Sequence, residues 1–263
     1  MTINASTIGS INLLPEEEKR AIYSRLIPRE LLEHFNLSPS LTDEQGNLLL
    51  ALKCNLNCTD MEMSLFHRVG YPDPILYGHL TDTLNGQIHI LLYILNDSTS
   101  PRFGVDCMPD GSPTKFGVLQ RNLAAEQAAM EAGLAPGQTH RGLRLLQPAI
   151  AAFEQFVQSL GHSLYFVEPL YYHNAIIFER YGFAYQVGKK LMERIQAGFD
   201  EGGDLHGRLD GSTPFRQLAA AQSIRLRSWA IHDGILGEPF TNVTMYKHVN
   251  KSAGIRTYAD CPW

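Results

Sequence analysis

Tyr171, Tyr172, His173 and Asn174 stand in a row and bring two phenols, an imidazole and an amide to one short stretch. An imidazole titrates near neutral pH and can take a proton from an attacking amine, while a phenol can return one to a departing anion. Tyr172 and His173 are therefore the candidate acid and base. A plainer reading competes, in which His173 or Asn174 caps a helix and the tyrosines fill the core. Upstream, His140, Arg141, Gly142, Leu143 and Arg144 gather positive charge where an apolar helix pattern begins. A helix start already carries unpaired N–H groups and a partial positive charge. Cations placed there work against the dipole and point to an anion, a phosphate above all.

Asp106 and Asp110 lie in a loop rich in Gly, Pro, Asp and Ser, and could orient a cationic substrate. Turn chemistry explains them equally well: Asp110-Gly111 is a turn pair, and Ser112-Pro113 reads as a helix cap with proline first. Thr213-Pro214 repeats that pattern before "FRQLAAAQ", where Arg216 would make a second anion site for a carboxylate. The chain has 10 histidines, among them His79, His89, His206 and His232, but no helical i, i+4 pair or paired-cysteine spacing, so no metal is assigned to them. There is no G-x-S-x-G elbow and no phosphate loop ending in Gly-Lys-Ser/Thr. The four cysteines read as free thiols.

The positioning elements follow from periodicity. Between residues 47 and 97 four antiparallel strands are expected, the last two joined at Asn85-Gly86, whose residues tolerate the positive φ of a tight hairpin. "VLQRNLAAEQAAMEAG" reads as a helix stopped by Gly133. "RGLRLLQPAIAAFEQFVQSLG" reads as a second, with Leu146, Ile150, Phe153, Val157 and Leu160 on one face and Pro148 forcing a kink or a later start. "SLYFVEP" is a short apolar strand, followed by a helix ending at Gly182, the strand "FAYQVG", and a helix from Lys189 to Ala197. "FTNVTMYKHV" supplies a last strand. Residues 1–10 read as a frayed end, and Pro15–Phe35 as two helical pieces broken at Pro28.

Hydrophobic residues make up 44% of the 263 and charged residues 19%, ordinary proportions for a folded protein. A net charge of −5 gives no electrostatic case for nucleic acid or an anionic membrane surface, and small molecules are the expected partners. No apolar run approaches the roughly 20 residues of a spanning helix, and the start lacks a basic segment followed by a hydrophobic one, so a cytoplasmic location is expected.

Strands, a helix entered through Arg-Gly, an apolar strand, then a helix finishing "IIFERYGF" resemble the GNAT acyltransferase superfamily over about residues 47–188, with "VTMYKHV" as its final strand. The resemblance implies an α/β (α+β) fold, a mixed and mostly antiparallel central sheet flanked by helices. It divides the chain into an N-terminal helical segment (1–46), a core (47–188) with an inserted loop and helix at 98–137, and a C-terminal elaboration (189–263) that includes the last core strand. It also implies acyl transfer from acetyl-CoA or another acyl-CoA to the amine of a small molecule. His140, Arg141, Gly142, Leu143, Arg144 and Asn174 would then bind the cofactor, and Asp106, Asp110 and Arg216 the substrate. A homodimer is compatible with this reading. The family's tyrosine acid falls on Phe178 here, its asparagine on Tyr171, and the family's small loop residues on Arg144 and Leu146. Two alternatives therefore stay open: a non-catalytic binding protein of the same shape, and a metal-dependent enzyme using His and Asp residues.

Overall fold

The computed structural model describes residues 5–114, 120–258 and 261–263. Its helices are α1 (Ile8–Asn12), α2 (Glu16–Tyr23), α3 (Arg29–His34), α4 (Leu123–Glu131), α5 (Leu146–Ser159), α6 (Tyr172–Arg180), α7 (Lys189–Phe199) and α8 (Ile224–His232). Its strands are β1 (Leu50–Lys53), β2 (Asp60–Leu65), β3 (Leu76–Asp82), β4 (Ile88–Leu95), β5 (Leu164–Val167), β6 (Ala184–Val187) and β7 (Thr244–His248). The strands form a mixed sheet in the order β1-β2-β3-β4-β5-β7-β6. β1 to β4 pair antiparallel in succession, and β4 pairs parallel with β5. No helix among the described residues is long and apolar enough to cross a membrane, and all four cysteines are free.

The chain divides into two compact units that do not follow chain order. The first comprises residues 1–99, 142–168 and 246–252, the second 100–141, 169–245 and 253–263.

In the first unit, the β3–β4 hairpin turns where expected. Gly86 adopts φ +71°, and its N–H closes the turn on Thr83 O at 2.8 Å. Helix α5 buries Ile150, Phe153, Phe156 and Val157. Lys247 of β7 is tied to Glu154 of α5 by a largely buried ion pair of 3.3 Å. The expectation of a frayed start over residues 1–10 is corrected for the part from Ile8, while residues 1–4 lie outside the described residues. Ile8 and Ile11 are fully buried, and the Asp82 carboxylate accepts the N–H groups of Ile8 and Gly9 at 2.7 and 2.8 Å, anchoring α1. Asn12 donates to Cys58 O and Asp60 O, both at 2.9 Å, and accepts from the Tyr23 hydroxyl at 2.6 Å.

The second unit builds its core from Val105, Ala129, Leu134, Phe215 and Trp229, with the indole N–H donating to Leu134 O at 2.8 Å. "IRLRSWAIH", mixed in character as a sequence, is helix α8, capped by the Ser223 hydroxyl accepting the Leu226 N–H. Two expected helix starts differ. Thr213-Pro214 leads only to a 3-10 turn over Leu218–Gln222, and Pro113 forms an isolated bridge with Cys107. Residues 115–119, where a helix capped by Ser112 would continue, lie outside the described residues.

Candidate functional site

The first unit contains a break in its sheet. "QIHILLYIL" is apolar at nearly every position, as suits a strand covered on both faces. Against β3 the register shifts: Leu80 faces Ile90 while His79 faces Leu92, which leaves Leu91 as an extra residue in a bulge. On the other edge, the register of β4 with β5 covers only His89↔Phe166 and Ile90↔Val167, followed by a bond of 3.2 Å from Glu168 N–H to Ile90 O. β5 stops at Val167 while β4 continues to Leu95, and Asn96 then bridges to Gly142. Residues 91–95 thus have no β5 partner over a strand length of about 16 Å. On the α5 face this region is filled by Tyr93, Phe153 and Tyr165, with ring centroids 4.7 and 6.4 Å apart. On the opposite face lie His89, Phe166 and Tyr246, at 6.2 and 6.3 Å.

Gly142, Leu143 and Arg144 lead directly into α5. Arg144 adopts φ +59°, a left-handed conformation that disfavours any side chain, and is exposed. The first turn of α5 has neither a side-chain cap nor an acidic residue, and its first in-register bond is Ala149 N–H to Leu145 O at 3.0 Å. Pro148 is the third residue of the helix, where a missing N–H breaks no bond, so neither a kink nor a later start is needed. Among the described residues neither Arg141 nor Arg144 has a carboxylate partner. In the second unit, Arg141 is exposed and its N–H donates to Ser100 Oγ at 3.1 Å. His140 departs from the phosphate-binding expectation. It is 3% exposed, with Nδ1 3.2 Å from Ser100 O, and it pins its own loop.

The tyrosine–histidine stretch is also more interior than expected. Tyr172 is 1% exposed; burial pushes its hydroxyl up to about 12, and that hydroxyl has no hydrogen-bond partner. His173 is 3% exposed, with Nδ1 2.8 Å from Ser228 Oγ. Burial first, and His232 second, lower its pKa to about 3, so it is neutral at physiological pH and sealed from solvent. This is the arrangement of a core side chain, at odds with the role of a base open to substrate. Asn174 caps nothing, and its amide lies 3.3 Å from His173 Nε2. The cap position belongs to Tyr171, which is half-buried and makes no side-chain cap bond.

The three substrate candidates are engaged locally. Asp106 receives both Nη groups of Arg102, at 3.1 and 2.7 Å. Asp110 accepts the Ser112 hydroxyl and N–H at 2.6 and 2.9 Å, the turn geometry its sequence suggests, and the hydroxyl bond holds its carboxyl below the usual range. Arg216 donates to Asp233 Oδ2 at 2.9 Å and so has an internal partner, which argues against a second anion site.

Asp233 opens a cluster that sequence reading missed. It also accepts from the Thr213 hydroxyl at 2.8 Å and from Arg121 at 3.0 Å. Arg121 pairs in turn with Glu126, whose other oxygen lies 3.1 Å from His232 Nε2. Burial would raise the Glu126 carboxyl, but hydrogen bonds from His232 and Arg121 outweigh it and hold that group below its usual range. The cluster joins segments about a hundred residues apart, so no local spacing announces it.

Among the described residues no group of three His, Cys, Asp or Glu side chains converges as a metal site. His79 faces Leu92 and His89 faces Thr81, so the two are not cross-strand partners. No protein-family model, characterised protein or solved structure matches the chain.

Proposed function

We propose that this protein is an N-acyltransferase of GNAT type, moving an acyl group from an acyl-CoA thioester to the amine of a small molecule. One observation carries the reading: β4 and β5 run parallel on either side of α5, and their register ends after two residue pairs with a bulge at Leu91. The free edge of β4 offers main-chain groups to a pantetheine arm lying alongside as a further strand would. Its length of about 16 Å matches that of an extended arm rather than a single small group. At the far end, Gly142 to Arg144 and the uncapped start of α5 supply N–H groups and a positive charge to phosphates. A main-chain N–H beside the bulge would polarise the thioester carbonyl, and the reaction would proceed by direct attack of the amine on a positioned donor.

Phe178 packs against Phe183 at 5.0 Å, so the position of the family's tyrosine acid has no proton to give. That favours a second reading, a protein that binds an acyl-CoA without turning it over. Titration calorimetry with acetyl-CoA, followed by mass spectrometry of a primary-amine panel, tests both. Saturable binding with acylated product supports the enzyme, and binding without product supports the second reading. No binding at millimolar acetyl-CoA sinks both.

A further inference from the structure

In the first unit, the segment between α3 and β1 and the residues just after β2 line a cavity of about 580 Å³, a volume within the range of small-molecule sites. The two segments are fixed to each other where the Phe66 N–H donates to Leu49 O at 3.0 Å. One wall is a closed turn. The Asp43 carboxylate accepts the N–H groups of Gln45 and Asn47 at 3.0 and 2.8 Å and the Asn47 amide at 2.9 Å. Leu41, just ahead of that turn, holds φ +54°, a conformation that a bulky side chain disfavours and that clusters beside ligands. Phe35 and His67 add aromatic lining, stacked with centroids 5.7 Å apart. His67 also meets the Tyr71 ring edge-on at 4.3 Å, and the Tyr71 hydroxyl donates to Ser98 O at 2.7 Å, so these rings are held before any ligand arrives.

The charges of this cavity are sorted by their partners. Asp43 is occupied by its own turn, whereas Glu44 and Arg68 are exposed, and among the described residues neither has an ion-pair partner. Arg68 is positioned by its guanidinium, 4.9 Å over the Tyr71 ring. His67 adds no charge at neutral pH, because burial first and Arg68 second hold its pKa below the ordinary histidine value. One open cation, one open anion and an aromatic surface complement a zwitterion that carries a ring. A nucleotide would meet the carboxylates of Asp43 and Glu44, and a polyamine would meet Arg68. We propose that this cavity binds a free aromatic α-amino acid, with its carboxylate on Arg68, its ammonium on Glu44 and its ring against Phe35. The site follows β2, two strands away from the β4 edge, and the inference does not depend on acyl transfer.

The test is titration calorimetry of the full chain with L-phenylalanine, phenethylamine, which lacks the carboxylate, and hydrocinnamate, which lacks the ammonium. L-phenylalanine is expected to bind saturably at millimolar concentration or below, and each of the other two about fivefold more weakly. Arg68→Ala should erase the preference over phenethylamine alone, and Glu44→Gln the preference over hydrocinnamate alone. Val69→Trp, which puts an indole into the cavity from an exposed position, should abolish binding of all three. All three substitutions are at exposed sites, so each variant is expected to keep the urea midpoint of the wild type. Absence of saturable L-phenylalanine binding overturns the proposal. So does binding that survives both Arg68→Ala and Val69→Trp unchanged, since it places the amino acid elsewhere, and so does adenosine binding more tightly than L-phenylalanine. Acetyl-CoA titrated into the same variants is expected to bind as it does to the wild type, and its failure to bind at all removes the acyl-transfer reading without touching this one.

Discussion

Arg144→Gly separates function from stability at one residue. Arg144 holds φ +59°, which costs a residue with a side chain about 1–2 kcal/mol relative to glycine. Glycine gives back about 0.4–1 kcal/mol through the greater freedom of its unfolded chain. The net expectation is a gain of about 0.5–1 kcal/mol in the free energy of unfolding, read from the urea midpoint at constant slope. Binding should move the other way. An exposed guanidinium about 4 Å from a phosphate contributes about 1 kcal/mol in high dielectric, which is about fivefold in Kd for acetyl-CoA. The same loss should flatten the salt dependence of binding, because one screened charge has gone. Arg144→Ala loses the charge and keeps the strained backbone, so it should match the glycine variant in Kd without gaining stability. A glycine variant that is more stable and binds acetyl-CoA as tightly as the wild type would refute the reasoning that a strained arginine is kept here for an anion.

Glu126→Gln should destabilise by about 3 kcal/mol in urea unfolding, since it breaks a buried charge cluster and leaves Arg121 only Asp233. His173 should make stability fall with acid. Between an unfolded pKa near 6.5 and a folded value of about 3, the unfolded chain binds a proton that the folded chain refuses. His173→Asn should therefore flatten the slope of unfolding free energy over that window, and an unchanged slope would contradict the buried neutral ring. Gly137→Ala should lower Tm by several degrees. Its added carbon would lie 2.6 Å from the Tyr171 ring, at a backbone φ of +78°, and trimming Tyr171 to leucine in the same chain should recover part of the loss.

Sequence reading located most elements where short-range chemistry decides them. The Asn85-Gly86 turn sits between its two strands, and α5 buries Ile150, Phe153 and Val157 of the face its periodicity marked, while Leu146 at its start stays half-buried. Local pattern failed where a distant partner decides. Helix α1 has only five residues and depends on Asp82, more than seventy positions away. The bulge at Leu91 was invisible because "IHILLYIL" is apolar throughout, so a change of facing leaves no trace in its alternation. His173 and Tyr172 carry the right functional groups for catalysis, but types and spacing do not report burial, and both prove interior. Arg216 was expected to hold the carboxylate of a substrate, but its anion is internal. The anion is Asp233, seventeen residues along the same chain.

The interleaving of the two units bears on how this chain can be made. Each unit is stitched from three separated stretches, and the first needs residues 246–252 to be complete. No single cut yields either unit whole, so fragments designed by dividing the sequence in two should be insoluble. During synthesis the first unit cannot be completed until residues 246–252 have left the ribosome, a delay in which the apolar strands β3 and β4 depend on chaperones for protection.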